Sequence, residues 1–207
     1  IDGIQNILPS GVGSALQKGR SMLDDAYKKG ELLGNGLAAY ARSSRIIDRA
    51  EPSEALTANT VWSTGLEVKN YLLSNHQLDT FRNGFELKIE KENKGYQGAY
   101  FIQSEFHLAA GECKDWFLLA EVDQSTTQVM NLESYLSKKS VAELKDEINS
   151  ERDIDQERLR AIVAKGDGIQ CSELETVTAR HYGNVLFNVM RGGLFESAYK
   201  IDRRDFQ

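Results

Sequence analysis

The stretch "FHLAAGECKDWFLLAEV", residues 106–122, reads as strand, tight turn, strand, and "DQSTTQVMNLESYLSKK", residues 123–139, follows it as a helix. Nothing later in the chain returns to a strand pattern. Upstream, "GAYFIQSEFHL" (98–108) alternates. Tyr100, Ile102, Phe106 and Leu108 fall on one side, and Gln103, Glu105 and His107 on the other, as in a strand with one wet face. "AAGE" at 109–112 is the turn. In the return strand Trp116, Leu118, Ala120 and Val122 share a face, with Phe117 and Leu119 opposite, so both sides of this strand are expected to be covered. The pattern predicts antiparallel, sandwich-like packing of sheets. A helical half follows, which makes the fold class α+β.

Working outward toward the N-terminus, "LAAYARSSRII" and "ALTANTVWSTGLEV" predict two strands, joined by the charged loop "DRAEPSE". "FELKIEKE" alternates Phe85, Leu87 and Ile89 against polar residues and predicts another strand. "NHQLDTFRNG" predicts one short helical turn stopped by Gly84. Residues 1–34 are ambiguous. "SALQKGRSMLDDAYKKG" carries Leu16, Arg20, Leu23 and Tyr27 at helical spacing, with Lys28-Lys29-Gly30 as the expected helix end.

Toward the C-terminus the apolar period changes from 2 to 3.6. Val129, Leu132 and Leu136 form one stripe, Val141, Leu144 and Ile148 a second, and Leu159, Ile162 and Val163 a third. Ser125-x-x-Gln128, Ser140-x-x-Glu143 and Ser172-x-x-Glu175 each fit the capping box, in which a hydroxyl and the side chain three residues on satisfy free backbone N–H groups. The charged run at 145–160 predicts a solvated pair of linker helices. The last helix, about 173–190, is apolar around most of its circumference (Tyr182, Val185, Leu186, Phe187, Val189, Met190) and stops at Gly192-Gly193. A helix of that kind calls for burial on several sides.

The bulk numbers narrow the function classes. The chain has 207 residues, 41% hydrophobic and 27% charged, a normal globular balance. Its net charge of -6 argues against nucleic acid, whose phosphates need a basic patch. No apolar run approaches the roughly 20 residues of a membrane span. Cys113 and Cys171 lie far apart with no Cys or His at metal spacing. The expectation is two buried free thiols in a reducing compartment, the cytoplasm, and no metal. The chain begins at Ile1 rather than Met, and its last stretch, "YKIDRRDFQ", has Phe206 beside the final residue, which reads as a segment of a longer polypeptide.

Catalytic signatures are weak. "GVGS" at 11–14 lacks a preceding strand and a third glycine, which argues against a phosphate loop. His76, His107 and His181 are scattered: His107 reads as a surface residue and His181 as one at a core edge. Two stretches stand out for ligand chemistry. Asp48, Arg49 and Glu51 precede a strand carrying Trp62; carboxylates and Arg grip hydroxyls, and an indole stacks on a sugar face. The competing structural reading is an ion pair capped by a core tryptophan. Arg191 and Gly192 end the last helix, where glycine lets backbone approach a ligand. The competing reading is a plain helix C-cap.

The block "GAYFIQSEFHLAAGECKDWFLLAEVDQSTTQVMNLESYL" resembles the end of the N-terminal β-sandwich in glycoside phosphorylases of the cellobiose phosphorylase and cyclic β-1,2-glucan synthase group. Leu108, Ala110, Gly111 and Glu112 stand at an "L-x-P-G-E"-like turn, with Ala in place of the usual Pro. "DGIQNILPSG", "DRAEPSEALTANTVWSTGL" and "NVMRGGLF" look like a cellobiose-phosphorylase-like branch. The resemblance implies a portion of a galactose-mutarotase-like supersandwich at 1–123, a helical linker at 124–170, and the start of an (α/α)6 catalytic barrel at 171–207. It implies an enzyme that cleaves or phosphorolyses glycosidic bonds with a carboxylic acid outside this segment and no cofactor. It further implies an oligo- or disaccharide substrate, inorganic phosphate as nucleophile in the phosphorylase version, the rest of the same polypeptide as partner, and a homodimer. The alternative is a stand-alone carbohydrate-binding or interaction module, with a sugar at the Trp62 loop.

Overall fold

The computed structural model describes residues 1–9, 26–43, 56–193 and 203–204. Eight strands and four α-helices lie among them: β1 (Asp2–Ile7), β2 (Lys28–Leu32), β3 (Ala38–Arg42), β4 (Thr57–Thr64), β5 (Asn70–Leu72), α1 (Leu78–Arg82), β6 (Glu92–Lys94), β7 (Gly98–Gln103), β8 (Phe117–Ser125), α2 (Thr126–Lys138), α3 (Val141–Lys165) and α4 (Glu175–Gly192). The chain is mixed α+β, and every strand pair is antiparallel. It divides into two compact units, Ile1–Lys145 and Asp146–Gln207.

In the first unit the strands make a three-stranded sheet, β1-β7-β5, and a five-stranded sheet, β6-β2-β3-β4-β8. Strand alternation sends side chains from both into one core: Ile7, Leu73, Tyr100 and Ile102 from one sheet and its flanks, Ala38, Tyr40 and Val61 from the other. Two phenols are satisfied inside it. Tyr40 Oη donates to the Ala99 carbonyl at 2.6 Å, and Tyr100 Oη donates to the Gly36 carbonyl at 2.7 Å. Gly98 is required beside the Tyr40 ring, because an added Cβ would stand 2.5 Å from its Cδ1. The other face of β7 is also covered: Ala99 and Phe101 cluster with Leu72 and Leu87, against Leu78 and Phe81 of α1.

Several expectations change. The 106–122 stretch does turn at 109–112, where Glu112 N–H donates to the Ala109 carbonyl at 3.1 Å and Gly111 takes φ 82°. The strands on either side of that turn do not pair. β7 belongs to the small sheet and β8 to the large one, so residues 104–116 carry the chain between sheets. β7 ends at Gln103, which leaves Phe106, His107 and Leu108 exposed. On β8, Trp116 and Leu118 pack against the core and Phe117 and Leu119 are half-buried, but Ala120 and Val122 are exposed; only the first half is covered on both sides. "FELKIEKE" is not a strand until Glu92. Leu87 is buried while Phe85 and Ile89 are exposed, so the alternation there reflects one anchor rather than a pleat. Lys28-Lys29-Gly30 is not a helix end but part of β2, paired with both β3 and β6. The rest of the helix expected before it lies mostly outside the described residues, as does "GVGS". The short turn at α1, stopped at Gly84 with φ 76°, is as expected.

α2 carries both halves of its capping box: Gln128 N–H donates to Ser125 Oγ at 3.4 Å, and Ser125 N–H donates to Gln128 Oε1 at 2.9 Å. Ser140 and Glu143 repeat it at the start of α3. Val129 and Leu136 of α2 are buried and Leu132 half-buried, as the stripe predicts. The second and third stripes belong to a single 25-residue helix, α3, not to a pair.

In the second unit the Ser172 box does not form. Ser172 Oγ turns back to the Leu174 carbonyl at 2.9 Å, and α4 starts at Glu175 with no side-chain cap. α4 ends on Gly193, whose φ of 73° suits glycine and whose N–H donates to the Val189 carbonyl. His181 is half-buried, with Nε2 2.8 Å from the Asp167 carbonyl. Val163 is fully buried. Neither cysteine is buried: Cys113 in the first unit and Cys171 in the second are exposed free thiols, because neither falls on a core-facing position of a strand or helix.

Candidate functional site

Of the residues singled out from sequence, the described ones are Trp62 in the first unit and Arg191 and Gly192 in the second. Asp48, Arg49 and Glu51 lie outside the described residues. Trp62 stands in the middle of β4 and is 5% exposed, so it offers no ring face for a sugar to stack on. A core tryptophan, the competing reading, is what β4 contains. Arg191 and Gly192 belong to the second unit. Arg191 is exposed, its guanidinium 5.4 Å from the Phe187 ring centroid. A Cβ at Gly192 would meet nothing within 4 Å, so no close approach demands glycine there. The helix-cap role falls instead on Gly193.

The first unit does contain a depression of about 240 Å³, formed where α2 crosses the large sheet. Ala39 and Ala41 of β3 form its floor because their small side chains leave space beneath the helix; Glu31, Thr57, Gln124 and Met130 stand around it. The signal for it in the sequence is the alternation of alanine with large residues in "LAAYAR", which puts Tyr40 into the core and the alanines on the opposite face. Its size is below the roughly 300–1,000 Å³ of drug-sized ligand sites. Its chemistry is hydroxyl, amide and apolar. Among the described residues that line it, the one carboxylate, Glu31, is 2.6 Å from Lys29 Nζ. A glycosidase needs two carboxylates across a sugar, and the described lining supplies one that is already paired.

Two other clusters are structural in character. Glu90 accepts from Leu73 N–H at 2.7 Å, from Ser74 Oγ at 3.0 Å and from Gln77 Nε2 at 2.8 Å, knitting the α1 region to the segment after it. His76 stands edge-on to Tyr96, ring centroids 4.5 Å apart, and does not join Ser74 and Glu90 through its ring. Tyr40, Tyr71 and Tyr100 all have phenols pushed up from the ordinary tyrosine range, first by burial. Each is a group held neutral in a core, not a poised acid. In the second unit a cavity of about 510 Å³ adjoins the start of α4, with Arg160, Cys171, Ser172 and Tyr182 on its wall. Among the described residues no group of three or more His, Cys, Asp or Glu is placed to hold a metal ion, and no helix is long and apolar enough to cross a membrane.

No family model matches the chain, and no curated protein matches it.

Proposed function

We propose that this chain is a non-catalytic segment of a carbohydrate-active enzyme that cleaves or phosphorolyses glycosidic bonds. On this reading the two sheets are a portion of a β-sandwich, and the helices lead into an (α/α)6 barrel elsewhere in the same polypeptide. The observation that carries it is the last helix. α4 has Phe187 56% and Met190 77% exposed, with Leu186 and Val189 only half-buried. An amphipathic surface helix keeps such residues on its covered side, so α4 has the surface of a helix built to be packed against. The order of elements agrees: the described strands all precede α2, α3 and α4.

Within that reading the acid that protonates the leaving oxygen sits in the barrel. The substrate is an oligo- or disaccharide, with inorganic phosphate as nucleophile in the phosphorolytic version, and the protein works in the cytoplasm as a homodimer. The stand-alone sugar-binding module is disfavoured in the form that used Trp62, since the indole is buried.

The test is oxidation footprinting of the full polypeptide, scoring methionine sulfoxide. Met130 on α2 is 58% exposed and serves as the internal reference. The proposal expects Met190 to be oxidised at least about tenfold more slowly than Met130, because barrel helices cover it. Equal rates would show α4 standing free and remove the main support for the barrel.

A further inference from the structure

On β4, strand alternation sends Thr60, Trp62 and Thr64 to the face opposite Val61, and Val61 belongs to the shared core. Ala39 is cross-strand from Thr60 and lies in the groove beside Val129 and Met130 of α2. The Thr60 face is therefore the one that α2 crosses. These three residues are 0%, 5% and 6% exposed. Even so, among the described residues Thr60 Oγ1, Trp62 Nε1 and Thr64 Oγ1 have no hydrogen-bond partner.

The inner side of the same strand behaves differently. Ser63 Oγ is 3.1 Å from Tyr100 Oη, and Asn59 donates to the Leu8 carbonyl and accepts from Asp123 N–H. On β4, the buried polar atoms without a partner among the described residues all lie on the α2 side. Burying a polar group without a partner is unfavourable, whereas the same group in water is satisfied. The closed position of α2 therefore works against the sheet face it covers. Val129 and Leu136 are the buried side chains of α2, and Glu133 Oε1 accepts from Gly34 N–H at 2.8 Å. The 240 Å³ groove already separates its first turn from the sheet floor.

We propose that α2 is a detachable cover: it opens locally, while the β3-β4-β8 ladder stays formed, and uncovers the row Thr60–Trp62–Thr64. Opening hydrates two hydroxyls and an indole N–H that the closed state leaves unpaired. This inference does not rest on the carbohydrate reading, since it is argued only from β3, β4 and α2.

Hydrogen exchange by mass spectrometry on the full chain tests it, comparing peptides across 126–138 with those across 38–42 and 98–103. The expected result is exchange in α2 through local opening, roughly 100-fold or more faster than in β3 and β7. Thr60→Val and Thr64→Val keep the side-chain shape and remove the unpaired hydroxyls, so each is expected to slow α2 exchange by about tenfold without slowing β7. A parallel measurement is acrylamide quenching of Trp62 in a Trp116→Phe background, which the valine variants should reduce. Exchange of α2 at the same rate as β3 and β7 would overturn the proposal. So would valine variants that leave α2 exchange unchanged or faster, because the hydroxyls would then be engaged in the closed state.

Discussion

Tyr100 shows how much of this molecule rests on single polar atoms inside an apolar core. Its hydroxyl donates to the Gly36 carbonyl and lies 3.1 Å from Ser63 Oγ, while its ring is fully buried. Tyr100→Phe leaves the Gly36 carbonyl without that donor and should cost about 1–3 kcal/mol in urea unfolding. Gly36 is the second fixed point. Its φ is 71°, and a Cβ there would collide with the Tyr71 hydroxyl. Gly36→Ala should lower stability by at least about 1–2 kcal/mol from backbone conformation alone, read as a drop in the denaturation midpoint at unchanged slope. Burial raises the pKa of both Tyr40 and Tyr100 in the folded state. A raised value means the neutral phenol is favoured by folding. That stability is fully present below the free-tyrosine pKa of about 10 and is lost as pH rises beyond it. Urea midpoints should therefore be steady from neutral pH to about 9 and fall above about 10. A flat profile through that range would contradict the burial of both phenols. At this scale the sequence was a partial guide. Tyr100 and Ile102 were legible as core from alternation. For Trp62 the sequence left a core position and a sugar-stacking position side by side, because nothing in "TANTVWST" says that a later helix crosses its outer face.

At the scale of elements, local chemistry was the most readable part. The boxes at Ser125 and Ser140 formed because each serine stands directly before a helix whose first free N–H groups need acceptors. Ser125→Ala should destabilise the protein by about 0.5–2 kcal/mol, and should raise amide exchange in the first turn of α2 more than in β8. Equal effects on both would mean that the cap supports the sheet rather than the helix. The Ser172 pattern failed because α4 begins at Glu175 with Leu174 before it, so Ser172 stands two residues too early to cap the helix. β1 was hidden for a related reason. Its pairing with β7 is interrupted between Ile4 and Ile7, and Asn6 takes φ 59°, so its apolar residues fall out of the period of 2 that marks a strand.

At the scale of the whole molecule, what the sequence conveyed was order, not pairing. Strands first and helices after could be read from the change of period near residue 125. Sheet membership could not. β7 and β8 are consecutive yet lie in different sheets, while β1 and β7 are partners separated by most of the first unit. Such long-range pairing is fixed by which faces must be buried together, and short-range patterns do not encode it. Service to a glycosidic-bond-cleaving enzyme, as proposed for this segment, is open to a direct assay. The most direct measurement is to incubate the full polypeptide with a panel of β-linked disaccharides, with and without inorganic phosphate, and to assay free sugar and sugar 1-phosphate. The account predicts turnover on at least one member of the panel, as sugar 1-phosphate when phosphate is required and as free sugar when it is not. No turnover under either condition, with the protein folded by its urea transition, would contradict it.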